Sequence, residues 1–181
     1  MLLYFLIFAL LITAVAAWTD ARGGRIPNWL TFGALGGAFV WHFVVGFLSL
    51  HSWWGALGEL GGSIAGALLC GAVPAFMYWQ KAIGGGDIKL FAALGALCHP
   101  IVGIELETYA FLAAALIAPA ILAYHGVLLQ TLKRSLGLLL NPFRKAEERK
   151  EVPSELKTWF RLGPAIFIGA GLTLLAHWRE H

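Results

Sequence analysis

Gly84-Gly85-Gly86-Asp87-Ile88-Lys89 is the stretch on which the reading of this chain turns. Three consecutive glycines run into an aspartate, and the flanks on both sides are strongly apolar. Each glycine costs about 1 kcal/mol of helix stability relative to alanine, so the run favours a break. Lacking a Cβ, it also permits positive φ and the close approach of another backbone. A carboxylate at membrane depth is costly unless it faces a partner or water. Asp87 therefore has two readings, a solvated residue in a turn between spans or a functional group at a helix boundary.

A second stretch weighs toward the latter. Asp20-Ala21-Arg22-Gly23-Gly24-Arg25-Ile26-Pro27-Asn28 also lies where one apolar run ends and the next begins. Proline suits the first turn of a helix, where its missing N–H has no intrahelical acceptor. Ile26-Pro27-Asn28 is thus expected to start a helix, with Asp20 at the end of the preceding one. Two aspartates at helix boundaries on one membrane face can meet across a bundle. At about 3 Å two carboxylates do not both ionise and instead share a proton. One can then take a proton from water while the other donates to a carbonyl oxygen.

Asp20 with Arg25-Ile26-Pro27-Asn28, and Gly84-x-Gly86-Asp87-x-Lys89, resemble the two signature motifs of the prepilin peptidases, membrane aspartic proteases of the Gly-x-Gly-Asp class. Leu162-Gly163-Pro164-Ala165-Ile166 and Gly169 are similar to that family's proline-containing last helix. The likeness runs from Asp20 to Gly171. It implies Asp20 and Asp87 as the catalytic pair, with Gly84, Gly85, Gly86, Lys89, Pro27, Asn28 and Pro164 in substrate-binding or supporting roles. It implies no cofactor and no metal. The substrates it implies are prepilin or pseudopilin precursors, with a short basic leader ahead of an apolar helix, cut just after a glycine. Full-length members carry a cytoplasmic insertion with paired C-x-x-C motifs, associated with N-methylation of the product. Nothing here corresponds, so the chain looks like the short, peptidase-only type that serves Flp (tight-adherence) pili.

Composition points to an all-α membrane protein, a single peptidase domain over 1–181. Of 181 residues, 59% are hydrophobic and 13% charged, and mean hydropathy is +0.75, which excludes an ordinary soluble domain. There is room for about six spans of ~20 residues each in contact with the lipid bilayer. The net charge of +3 is no nucleic-acid signal, because the basic residues cluster in membrane loops. Cys70 and Cys98 fall in apolar segments without a C-x-x-C pair and read as buried thiols.

Met1 to Trp18 lacks the charged n-region and cleavage site of a secretory signal and reads as the first span, its amino end outside. The second span is expected over about Trp29 to Leu48, where Gly33-x-x-x-Gly37 would let helix backbones pack closely. An outer turn at His51 to Gly55 leads to a third span over Ala56 to Trp79, with Gly58, Gly62 and Gly66 as packing residues and a bend at Pro74. A fourth begins at Ile88, with its outer end or a break at His99-Pro100, and Glu105 and Glu107 are placed in an outer turn. A fifth covers Tyr109 to Leu129, with a kink at Pro119. A polar inner loop at about 131–158, with a short surface helix, precedes a last span over Trp159 to Ala176, interrupted at Gly163-Pro164.

Charge bias gives the orientation. The inner loops hold Arg22 and Arg25, then Lys81 and Lys89, then Lys133, Arg134, Arg144, Lys145, Arg149, Lys150, Lys157 and Arg161. That is twelve of the 13 Lys and Arg residues, and only Arg179 lies outside. The positive-inside rule thus puts both aspartates on the cytoplasmic side of the inner membrane. His42, His99 and His125 show no metal-ligand spacing, and Glu59 reads as interfacial. Lys89 reads either as a cation snorkelling to the interface or as a support for the carboxylate or substrate. The glycine run beside Asp87 offers backbone to an extended substrate strand. Two other functions share these features. One is an archaeal preflagellin peptidase with the same dyad. The other is a non-enzymatic transporter or assembly scaffold, though the internal repeats usual in transporters are not evident.

Overall fold

The computed structural model describes residues 2–80, 82–124 and 161–178, which are helical with no strand among them. Its helices are α1 (Leu2–Gly23), α2 (Asn28–Leu50), α3 (Trp53–Trp79), α4 (Gly85–Tyr124) and α5 (Gly163–Trp178). Among the described residues, four helical stretches, Leu2–Gly23, Asn28–Leu50, Trp53–Trp79 and Gly85–Ile121, are long and apolar enough to cross a membrane, and Gly163–Trp178 is a shorter apolar helix. The protein is an all-helical, multi-pass membrane protein. Trp18, Trp29, Trp53, Trp54, Trp79 and Trp178 are all exposed near helix ends, as interfacial aromatics are. By its contacts the chain divides into one unit, Met1–Ala113 with Arg161–His181, and a second, Ala114–Phe160, of which residues 114–124 are described.

The helix period aims α1. Its buried residues are Leu6, Ala9, Thr13, Ala16 and Asp20, successive steps of three and four that form one stripe. Asp20 is the last member of that stripe, so the geometry that buries Leu6 also turns the carboxylate inward. α1 packs against α5 and α2, and α2 packs against α3. Gly24 ends α1 in the left-handed region at φ +62°, and its N–H donates to Asp20 O at 2.8 Å. Glycine adopts that conformation without the steric cost of a Cβ. Pro27, in extended conformation, then caps α2, and helical residues begin at Asn28, within the expected Ile26-Pro27-Asn28 start.

α4 is not one rod. His99 sits at φ 63°, ψ 167°, which breaks the helix into arms over 85–98 and 100–124. Pro100 opens the second arm, a position that suits its missing N–H. The arms fold back on each other. A Cβ built on Gly103 would stand 2.9 Å from Gly95 Cα, whereas eight residues along a straight helix span about 12 Å. Phe91 and Phe111 likewise stack with ring centroids 5.4 Å apart. Gly66 of α3 meets Gly95 so closely that a Cβ on either would collide with the other's carbonyl oxygen, and Cys70 Sγ fills the remaining space beside Gly103. Both cysteines are free and buried.

Several expectations are corrected. Glu105 and Glu107 are not in a turn; the reversal comes at His99 and both lie in the second arm. Glu107 is buried, and its Oε1 has no hydrogen-bond partner among the described residues. Gly163-Pro164 does not interrupt a helix but starts α5. Trp53 and Trp54 open α3 rather than belonging to the preceding turn. A Cβ on Gly33 or Gly37 would meet nothing within 4 Å, so that spacing serves no contact among the described residues, and the same holds for Gly58. The inner loop at 131–158, its surface helix and His125 fall outside the described residues.

Candidate active site

Asp20 comes to the site from the end of α1, and its partner comes from the far end of the sequence. Asp20 Oδ2 accepts a hydrogen bond from the Gly163 N–H at 3.0 Å, and the pair is buried. Gly163 is the first residue of α5, and a helix's first N–H groups have no acceptor within the helix. Asp20 therefore caps α5, placing its carboxylate at the positive end of that helix. Pro164 follows with no N–H to offer, so it does not compete for the carboxylate. Only glycine fits at 163. A Cβ there would lie 2.9 Å from Asp20 Cβ and Oδ2 and 3.2 Å from Ala17 Cα. Arg161 ties the same junction together by donating to Ala21 O.

Asp87 is held locally. It lies in the first turn of α4, where its Oδ2 accepts from the Gly84 N–H at 3.0 Å while its own N–H donates to Gly84 O at 3.2 Å. This is the carboxylate half of a capping box, with Gly84 as the cap and Asp87 three residues on. The expected glycine break is correspondingly small. Gly85 and Gly86 are already helical, and none of the three glycines has positive φ. What Gly86 provides is room, since a Cβ there would stand 3.2 Å from Ile26 Cβ. The buried Ile26 side chain thereby docks the α1–α2 loop onto the start of α4.

The end of α1, the 24–28 loop and the start of α4 line an open cavity of about 440 Å³, formed by Asp20, Gly24, Arg25, Ile26, Pro27, Asn28, Gly84, Gly85, Gly86 and Asp87. Lys89 is not part of the lining. Its Nζ donates to Asn28 Oδ1 at 2.9 Å and lies 4.9 Å from the Phe32 ring, so it ties α4 to α2. Pro164 is half-buried behind Gly163 and likewise lies off the cavity wall. Arg22 turns outward, its guanidinium 3.9 Å above the Trp18 ring.

Against protein families, residues 5–124 match the type IV leader peptidase family. The chain belongs to that family. No curated protein and no solved structure matches it. The family match covers both aspartates and the glycine run and stops before α5, so Gly163 and Arg161 contribute from outside it. Neither stands out as an Asp20 partner in the sequence, although Gly163 lies in the proline-containing block. The available signal was the Gly-Pro pair at the head of an apolar run, which is how a helix start reads.

Proposed function

We propose that this family member is an aspartic endopeptidase that removes the leader from Flp-type prepilin precursors at the cytoplasmic face of the inner membrane. The observation that carries the reading is that Asp20 and Asp87, 67 positions apart in the sequence, line one cavity at a loop-rich end of the bundle. Each is anchored through Oδ2 by a backbone N–H, which leaves Oδ1 of each for water and substrate. In the reaction, one ionised carboxylate takes a proton from the attacking water. The other, protonated, donates to the scissile carbonyl oxygen as the tetrahedral intermediate forms. Collapse of that intermediate breaks the C–N bond, and the amine leaves with a proton from the dyad. No metal enters these steps.

The sidedness rests on the basic residues of the loops around Arg22 and Arg25. The substrate class rests on the family match and on the absence of paired C-x-x-C motifs in the sequence. The test is co-expression with a precursor whose short basic leader precedes an apolar helix, read by the mass of the product. Asp20→Asn and Asp87→Asn should each insert normally and lose at least about 10²–10⁴-fold in cleavage rate. An amide oxygen still accepts from Gly163 or Gly84, so the fold is kept while proton transfer is lost. Processing by either variant near the wild-type rate would remove the dyad assignment.

A further inference from the structure

The end of α2 away from the aspartate cavity carries a polar cluster that leader cleavage does not use. His42 is fourteen residues beyond Asn28, about 21 Å along the helix at 1.5 Å per residue. Its Nε2 is 3.0 Å from Leu97 O. A carbonyl only accepts, so Nε2 carries the proton and Nδ1 presents its lone pair. That lone pair meets His99 Nε2 at 3.0 Å and Glu59 Oε2 at 3.7 Å, and His99 Nε2 is 3.3 Å from the same Glu59 oxygen. Three donor atoms from three separate segments thus converge on one point. From these contacts we propose that His42, Glu59 and His99 form a binding site for a divalent transition ion of the zinc class.

The triangle has the right size. Bonds of about 2.0–2.1 Å in a tetrahedral zinc site place the ligand atoms about 3.3 Å apart, and the three edges here are 3.0, 3.3 and 3.7 Å. Two neutral imidazoles and one carboxylate are a donor set zinc accepts, with a fourth position left open. That position faces a cavity of about 720 Å³ lined by all three residues. The His42 side chain is 2% exposed, so its Leu97 bond is the kind of outer contact that orients a ligating ring. Glu59 and His99 side chains keep 43% and 33% exposure, which gives an ion its way in.

The surroundings are shaped to this purpose. His99 occupies a left-handed backbone conformation that side chains rarely adopt, and this turns its ring toward His42. Gly62 of α3 makes room for that ring, since a Cβ there would stand 2.6 Å from His99 Nδ1. Phe5 stacks on the His42 ring at 4.8 Å from the α1 side. Ion binding requires the His99 proton to move from Nε2 to Nδ1, a change of tautomer with no net proton release. The bound ion would cross-link α2, α3 and the break in α4.

The experiment uses the full chain, purified in detergent through a tag without histidine, stripped with chelator and titrated with Co²⁺ as a spectroscopic stand-in and with Zn²⁺. The expected result is one ion per chain, a visible d–d band of four-coordinate Co²⁺ and a melting temperature raised by Zn²⁺. Glu59→Gln and His99→Ala should each weaken binding by more than the about 10–100-fold that loss of an outer-sphere partner costs. Asp20→Asn and Asp87→Asn should leave it unchanged. Glu59 is half-exposed, so its variant folds even where a histidine variant does not. Substoichiometric binding, an unchanged Co²⁺ spectrum in Glu59→Gln, or loss of the ion in the aspartate variants instead would each overturn the proposal. Leader cleavage enters none of these readouts.

Discussion

Asp20 and Asp87 line the same cavity and use the same device, a carboxylate oxygen on a backbone N–H at a helix start. They differ in where that N–H comes from. Asp87 takes it from Gly84, three residues away on a half-exposed turn. Asp20 takes it from Gly163, 143 residues away and buried. One aspartate is therefore positioned by local sequence and the other by the tertiary fold. The difference teaches that two aspartates proposed for one reaction can rest on unequal structural support, and substitutions should separate the two.

The largest effect is expected at Gly163. An alanine Cβ there meets Asp20 and the Ala17 backbone at 2.9–3.2 Å, so the carboxylate or all of α5 must shift. Displacement on the order of 1 Å costs about 10²-fold in rate. Gly163→Ala should lose roughly that much cleavage, measured on a pilin precursor. Gly86→Ala should lose less, because its nearest neighbour is the Ile26 side chain, at 3.2 Å, rather than either aspartate. Equal losses at the two positions would break the comparison and favour direct contact between Gly86 and the substrate strand.

Stability should divide the same way. Asp20→Ala leaves a buried Gly163 N–H without its acceptor, at about 1–3 kcal/mol. Asp87→Ala removes the acceptor from an exposed Gly84 N–H that water can satisfy, at about 0.5–1 kcal/mol. Thermal melts of the two variants in one detergent should show the larger drop for Asp20→Ala, and the reverse order would undo the buried-cap account. The smallest effect belongs to Lys89→Met, which keeps the apolar stem and loses one exposed hydrogen bond to Asn28. Its cleavage rate should stay within a few-fold of wild type, and a loss comparable to that of Gly163→Ala would place Lys89 on the substrate.

What the sequence shows and hides follows the same division. Helices, their approximate limits and the aspartates at their boundaries are legible because apolar runs, Pro27 and the glycine run act within a few residues. The reversal at His99 is less so. Pro100 marks a break, but nothing nearby says that the chain turns there rather than at Glu105 and Glu107. Charged residues in an apolar stretch read as a turn, yet Glu107 is buried in the second arm. The glycine run reads as an opening in the backbone, and Gly85 and Gly86 prove helical because Asp87 caps Gly84. Contacts such as Asp20 with Gly163, or His42 with Glu59 and His99, join residues from separate helices, and no spacing rule reaches across them.

The Asp20–Gly163 bond also sets an order in time. A ribosome adding about 5–20 residues per second makes Gly163 about 7–30 s after Asp20. During that interval the Gly84 cap on Asp87 can already be in place, while Asp20 has no α5 to hold. The two halves of the proposed dyad thus mature on different clocks, and the cavity gains its second anchor only when the last described helix docks. A chain released early would carry both aspartates with only one of them held in position.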